Sequence, residues 1–260
     1  MKEFGKIFLY LLFYLGNAHA NNASYISLSG QIANKSQIDI LSNNLANKST
    51  KGFVADVPTL NFKKIKKSSK EIYLSTLYNV SLDKTPGALK NTGRDLDIAI
   101  RGSGFFKILA NGQERYTLNG AISISKDGLL VNQDGFAFLD RDSKEISAPD
   151  EPGEVIITEN GEMILQKDTG NESIGQIGIF EIPNLNDGQK DAFGYIKSLD
   201  SQYKEDGCVL QGYLVESNVD TLKTMNELLS IKNSLECNMQ FLSASFSMDK
   251  SAVETLKIPR

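Results

Sequence analysis

Residues Ser42 to Phe53 read Ser-Asn-Asn-Leu-Ala-Asn-Lys-Ser-Thr-Lys-Gly-Phe, and the fold turns on them. A helical pattern stops here and a strand-like pattern begins. Asn43, Asn44 and Asn47 crowd the helix end. Asparagine tolerates the left-handed conformation and hydrogen-bonds its own backbone, so it suits helix ends and turns. Gly52 permits a sharp redirection, and Phe53 can anchor the new direction in apolar surface. Taken alone, the stretch is a helix C-cap followed by a loop. With a partner helix at the far end of the chain it becomes a hinge motif (Asn43, Asn44, Leu45, Asn47, Gly52, Phe53) between a terminal helix and a separate body.

Working towards the N-terminus, Ala23 to Asn47 is helical in pattern. Tyr25, Leu28 and Ile32 are spaced by three and four, as are Ile38, Leu41 and Leu45, with Lys35 interrupting. The stripe is narrow, closer to a coiled-coil seam than to a helix lying on a broad core. The matching pattern lies beyond Asn218. Leu228, Leu235, Met239, Leu242, Phe246, Val253 and Leu256 fall on alternating steps of four and three, with Lys232 and Asp249 in the remaining seam positions. That predicts a long, coiled-coil-like helix with Ser217 or Asn218 at its N-cap.

Between these ends the period is that of strands. Pro58 closes the first element, and residues 59–90 are mixed, with a β-like run at Glu71–Tyr78 and a turn at Thr85-Pro86-Gly87. Leu96 to Ile100 alternates apolar and polar. Turn dipeptides then recur at Asn111-Gly112, Asp127-Gly128, Asp134-Gly135 and Asn160-Gly161. They separate runs at Ile122–Ser125, Leu129–Asn132, Phe136–Leu139, Val155–Thr158, Met163–Gln166 and Ile177–Ile182. Asn-Gly and Asp-Gly between such runs signal hairpins, and no helical segments intervene to make parallel crossovers. The expected fold class is α+β: long N- and C-terminal helices packed as a coiled-coil-like stalk, with a central antiparallel all-β domain. Neither narrow stripe is stable alone in water, so the two helices are expected to cover each other. The divisions are a leader at 1–20, N-terminal helix and hinge at 21–58, β-rich body at 59–216 and C-terminal helix at 217–260.

The leader rests on Lys2 and Lys6, the apolar run Ile7–Leu15 and the small residues of Ala18-His19-Ala20, which together read as a secretory signal cleaved after Ala20. The run is too short to span a bilayer, and no other is longer. Of 28 basic and 32 acidic side chains in the chain, 26 and 31 lie beyond the leader, an acidic balance that does not suggest nucleic acid. Lys63, Lys64, Lys66, Lys67 and Lys70 read as a solvated loop. Cys208 and Cys237 are expected to stay unpaired, one in a loop-like stretch and one in a helix.

Chemistry is hard to place. The single histidine, His19, lies in the leader, which removes His-based nucleophilic and metal sites from the rest. Gly102-Ser103-Gly104 lacks both the Lys-Ser/Thr of a phosphate loop and the spacing of a nucleophile elbow, and reads as a glycine turn. Asp95 and Asp97 straddle a leucine, as on any exposed strand. No catalytic, cofactor-binding or metal residues are assigned.

Three blocks carry a resemblance: Asn43-Asn44-Leu45-Ala46-Asn47 through Gly52-Phe53 to Ala55-Asp56; Thr85-Pro86-Gly87-Ala88-Leu89 through Leu96–Ile100 and Gly102–Phe106 to Tyr116-Thr117 and Gly128–Val131; and Gln211–Leu214 with Glu216–Asp220. Together they resemble the bacterial flagellar basal-body rod and hook proteins, most closely the proximal rod type. Val54 and Leu118 depart from that pattern, which more often has basic residues there. The resemblance implies a structural, non-enzymatic subunit that assembles helically into the periplasmic rod, the drive shaft between motor and hook. Its partners would be copies of itself and neighbouring rod proteins, with no nucleic acid, small-molecule substrate, cofactor or stable membrane span. The expected interface is Leu28, Ile32, Ile38, Leu41 and Leu45 against Leu228, Leu235, Met239, Leu242 and Phe246. Alternatives are a distal rod or hook-type paralogue, a secreted β-rich binding module or adhesin, and a carboxylate-pair hydrolase.

Overall fold

A computed structural model describes residues 27–67, 70–148, 154–167, 170–183, 189–204 and 207–255. The leader, Tyr25 and Leu256 lie outside them. The chain is helical over residues 27–46 (α1) and again over Thr221–Thr255 (α2). Between them run β1 (Asp56–Lys67), β2 (Lys70–Leu82), β3 (Leu89–Asn91), β4 (Asp97–Arg101), β5 (Phe105–Ala110), β6 (Gln113–Thr117), β7 (Gly120–Ala121), β8 (Ser123–Ile124), β9 (Leu130–Val131) and β10 (Ala137–Phe138). There follow β11 (Glu154–Ile157), β12 (Glu162–Lys167), β13 (Gly170–Gln176), β14 (Ile179–Glu181), β15 (Gln189–Lys190), β16 (Ile196–Lys197), β17 (Gln202–Tyr203), β18 (Cys208–Gln211) and β19 (Tyr213–Val215). The chain divides into two units. One holds residues up to Ser42, 58–79 and from Leu222 on; the other holds Asn43–Val57 and Val80–Thr221.

The second unit is built on β5, which pairs antiparallel with β6 on one edge and with β10 and β14 on the other. Its residues are buried on both faces because it is central, and Phe106 and Ile108 are fully covered. They join Ile98, Ile122, Phe138, Met163 and Val209 in the main core. A second cluster gathers Val54, Leu82, Phe105, Tyr116, Phe180, Ile182 and Ile196. β18, β4 and β7 form one three-stranded sheet, and β11, β12 and β13 another.

The hairpin turns are where the dipeptides place them, but only Asn111-Gly112 has positive φ at both residues, 52° and 72°. The other loops share a different wiring. Ser125, Asn132 and Asp140 each accept, through a side-chain oxygen, the N–H groups two and four residues on. Asp191 does the same. The fourth residue of each loop has positive φ: Gly128, Gly135, Ser143 and Gly194. A short polar side chain thus stands in for the missing ladder bonds, and glycine accommodates the bend.

Three expectations are corrected. Pro58 does not end an element: it lies near the start of β1, which forms a two-stranded ribbon with β2, where a proline without N–H is tolerated. The lysine cluster spans the end of β1 and the start of β2 and is not a loop. Asp97 is not exposed: β4 is the middle strand of its sheet, and the Asp97 side chain is buried, with Arg94 Nη1 3.5 Å away.

The α+β reading fails at the coiled-coil-like stalk. Among the described residues two helices flank a large antiparallel β domain, and no long coiled-coil stalk forms. Leu28, Ile32, Met239 and Phe246 were expected to cover one another, yet they are 51%, 60%, 50% and 63% exposed. The side of α2 that is covered or half-covered runs through Thr224, Leu228, Ile231, Leu235, Asn238, Leu242 and Ser245. That line shares Leu228, Leu235 and Leu242 with the predicted seam but turns the other way between them, and three of its seven members, Thr224, Asn238 and Ser245, are polar. On α1 the buried residues are Ala33, Leu41 and Asn44, with Ile38 and Leu45 half-buried. Between the helices Asn34 Nδ2 donates to Ser234 Oγ at 3.4 Å. The physical reason is that small and polar residues, Ala33 and Asn34 on α1 and Thr224, Asn238 and Ser245 on α2, interrupt the covered sides, so no continuous apolar seam interdigitates.

Candidate assembly site at the helix exit

The Ser42–Phe53 stretch closes into a joint made of side-chain amides. Asn47 N–H bonds back to the carbonyls of Asn43 and Asn44, ending α1. Asn47 Nδ2 donates to Asn43 O, and its Oδ1 accepts from Thr50 Oγ1. Asn44 is only 3% exposed, and its amide pairs with the peptide of Asp56: Nδ2 donates to Asp56 O at 2.7 Å and Oδ1 accepts Asp56 N–H at 2.9 Å. A carboxamide is the one short side chain that offers a donor and an acceptor in the geometry of a peptide group. It therefore satisfies both backbone groups of Asp56, the first residue of β1.

Gly52 takes a φ of 66° and donates its N–H to Val215 O at 2.8 Å. Phe53, Val54 and Ala55 are then buried, with Val54 in the second core cluster. That explains how an apolar residue serves at position 54. Asn218 faces this segment from the other end of the chain. Its Oδ1 accepts Ala55 N–H at 2.7 Å, and its Nδ2 donates to Asp83 O and Thr85 O at 3.2 and 2.8 Å. Asn218 is therefore not the cap of α2, which begins three residues later; it sews the outgoing chain to the incoming one.

Charged pairs frame the joint. Lys190 Nζ lies 2.9 Å from Asp56 Oδ1. Lys51 Nζ lies 3.0 Å from Glu216 Oε1, with Lys90 at 3.8 Å. The hydrogen bond from Lys51 holds the Glu216 carboxyl below its ordinary value of 4.5. A carboxyl depressed on folding contributes stability that is present above its unfolded pKa and is lost as pH falls through the folded one. Lys51→Met is therefore expected to lower stability slightly above about pH 4.5 and to converge with the unaltered chain as pH falls below that, which flattens the acid limb, as read by denaturant titration across that range.

Of the hinge residues, Asn44, Gly52 and Phe53 meet in this joint, Asn47 caps the helix, Asn43 contributes its carbonyl and is exposed, and Leu45 is half-buried. Sequence reasoning placed Asn218 at the wrong task and missed Lys190 altogether. The signal for Asn218 is the Asn that follows Glu-Ser just before a helix it does not cap; Lys190 leaves no local signal. Elsewhere, Gly102-Ser103-Gly104 joins β4 to β5 as a bend, with Lys204 Nζ on Ser103. Cys208 and Cys237 are free thiols. Among the described residues no three His, Cys, Asp or Glu side chains converge to hold a metal ion, and no helix is long and apolar enough to cross a membrane.

The flagellar hook protein FlgE/F/G D1 domain matches residues 99–165, the β5 core and its hairpins, and the flagella basal body rod protein family matches residues 25–53, ending at the joint. The chain is 30% identical over 244 residues to the flagellar basal-body rod protein FlgF of Caulobacter vibrioides, covering 91% of this chain and 98% of that one. It belongs to the flagellar basal-body rod protein family. Against FlgF of Buchnera aphidicola subsp. Schizaphis graminum the identity is 32%, covering 86% and 93% of the two chains. Against FlgG of Buchnera aphidicola subsp. Acyrthosiphon pisum it is 28%, covering 86% of this chain and 95% of that one. The resemblance stated from the three blocks of sequence thus holds for a flagellar basal-body rod protein.

Proposed function

We propose that this chain is a structural subunit of the flagellar basal-body rod, of the FlgF type, which assembles helically with copies of itself and with neighbouring rod subunits. In that role it is exported to the periplasm, forms part of the drive shaft between motor and hook, and carries out no catalysis. The observation that supports this reading is the apolar surface left open on both terminal helices. Leu28 and Ile32 on α1, and Leu222, Met225, Leu229, Met239, Phe241 and Phe246 on α2, are exposed large apolar side chains. Exposed apolar groups in that density mark a surface that another chain covers, and an interface whose two sides differ propagates into an open helix. Ile38, Leu41, Leu45, Leu228, Leu235 and Leu242, which are more covered, keep the helices in shape behind that surface.

Phe246→Asp tests it. The purified variant is expected to keep its β-sheet signal and melting temperature, because Phe246 touches no core, and to fall at least tenfold in the amount recovered in isolated basal bodies. Wild-type recovery would refute the interface. N-terminal sequencing of the recovered protein tests cleavage after Ala20. The FlgG relatives support the distal rod as a second reading, and the position of the subunit in isolated rods distinguishes the two.

A further inference from the structure

Lys190 belongs to no motif and to neither terminal helix, yet three acceptors on four consecutive residues converge on its ammonium. Its Nζ lies 2.9 Å from Asp56 Oδ1, donates to the carbonyl of Val54, and sits 4.1 Å from the centre of the Phe53 ring. The Lys190 and Asp56 side chains are 11% and 17% exposed. Burial pulls the ammonium below the ordinary lysine range, while the Asp56 hydrogen bond acts the other way. Covering an ion pair costs hydration that its Coulomb attraction only partly returns, so such a pair serves registry better than stability. Asp56 is also gripped from its other side, where the Asn44 amide takes both its N–H and its C=O. One residue therefore joins the end of α1, through its backbone, to β15, through its carboxylate.

We propose that Lys190 is a positioning residue for rod assembly: it locks the segment Phe53–Asp56 onto β15 so that the Asn44 clamp closes in a single register. The link to assembly rests on the rod reading above; the lock itself does not. Without the ammonium, the Asp56 carboxylate and the Val54 carbonyl lose their shared partner, and the segment keeps only its bonds to the two asparagines and the backbone bonds of Phe53 and Ala55.

The test compares Lys190→Met, which keeps the side chain's length and removes its charge, with the exchanged pair Lys190→Asp/Asp56→Lys in the full chain. Hydrogen exchange is followed at the amides of Ala55 and Asp56, which bond to Asn218 and Asn44, and at Ile108 in β5 as a reference. Lys190→Met is expected to speed exchange at Ala55 and Asp56 at least tenfold with Ile108 unchanged, and to lower incorporation into basal bodies severalfold; the exchanged pair recovers part of both. Unchanged exchange at Ala55 and Asp56 overturns the lock, as does an equal acceleration at Ile108, which is general destabilisation. Faster exchange with normal incorporation overturns the link to assembly. Normal incorporation of Phe246→Asp, by contrast, is the separate sign that the rod interface itself is misread.

Discussion

Gly52→Ala is expected to cost the β-rich unit on the order of 3–5 kcal/mol. Two effects combine. A non-glycine residue at a φ of 66° is strained by about 1–2 kcal/mol. The new Cβ also falls 2.5 Å from the carbonyl carbon of Leu118 and nearer still to the Asn119 nitrogen. These are backbone atoms, and their loop cannot step aside: Asn119 N–H is tied to Thr117 Oγ1, and Asn119 Oδ1 accepts Ala121 N–H. Any shift of Gly52 instead stretches its bond to Val215 O. Gly112→Ala is the control. Its φ of 72° is nearly the same, but no atom lies within 4 Å of the added methyl, so only the conformational cost of about 1–2 kcal/mol applies. Denaturant unfolding of both variants measures the difference. Equal losses would mean that the approach of the Asn119 backbone does not matter.

The β body was legible because its signals are local. The Asn111-Gly112 pair marks the turn between β5 and β6, and the runs between Ile122 and Ile182 each overlap a strand. The dipeptide signal was right in place and incomplete in kind. Ser125, Asn132 and Asp140 begin their loops with a side chain that caps two amides, so one positive φ at the fourth position, Gly128, Gly135 or Ser143, suffices and the preceding residue keeps negative φ. Of the β1–β2 ribbon only the middle of β2 was legible, as the β-like run Glu71–Tyr78; Pro58 and the lysines are breakers and loop formers by type, and nothing local reveals that a two-stranded ribbon tolerates them.

The helices show the opposite case. Their existence and length follow from periodicity, but which side is covered does not. Leu228, Leu235 and Leu242 belong to two heptad frames at once. Stepping to Met239 and Phe246 completes an apolar seam, and stepping to Ile231, Asn238 and Ser245 completes the mixed side that is covered. Apolarity favours the first frame if the partner is assumed to lie in the same subunit. In a subunit that leaves apolar surface for its neighbours, the assumption picks the wrong side. At the joint, the three asparagines of Ser42–Phe53 marked the place, while their partners lie far off in sequence: Asn218 meets Ala55 across 163 residues, a contact that no window of sequence contains.

Asn218→Ala carries the second large effect, a loss of about 3 kcal/mol from three hydrogen bonds at about 1 kcal/mol each. The orphaned groups set the sign. Ala55 N–H faces a buried residue, so its desolvation is not recovered by water, whereas Asp83 O and Thr85 O lie nearer the surface and can be rehydrated. Asn218→Asp separates the two contributions: it keeps the acceptor for Ala55, loses two of the three bonds and turns a carboxylate oxygen towards the Asp83 and Thr85 carbonyls, so it should cost at least about 2 kcal/mol. Asn44→Ala removes two bonds to Asp56 and is expected to cost about 2–3 kcal/mol, because Asn44 is buried and leaves both peptide groups unpaired. The two asparagines grip adjacent residues from opposite ends of the chain. If Ala55-Asp56 is a single rigid link, freeing it at either end already loosens the other, and the double variant Asn44→Ala/Asn218→Ala should lose less than the sum by about 1 kcal/mol. Strict additivity in that cycle would mean that two independent clasps hold the helix exit, and that the joint has no cooperative unit for Lys190 to register.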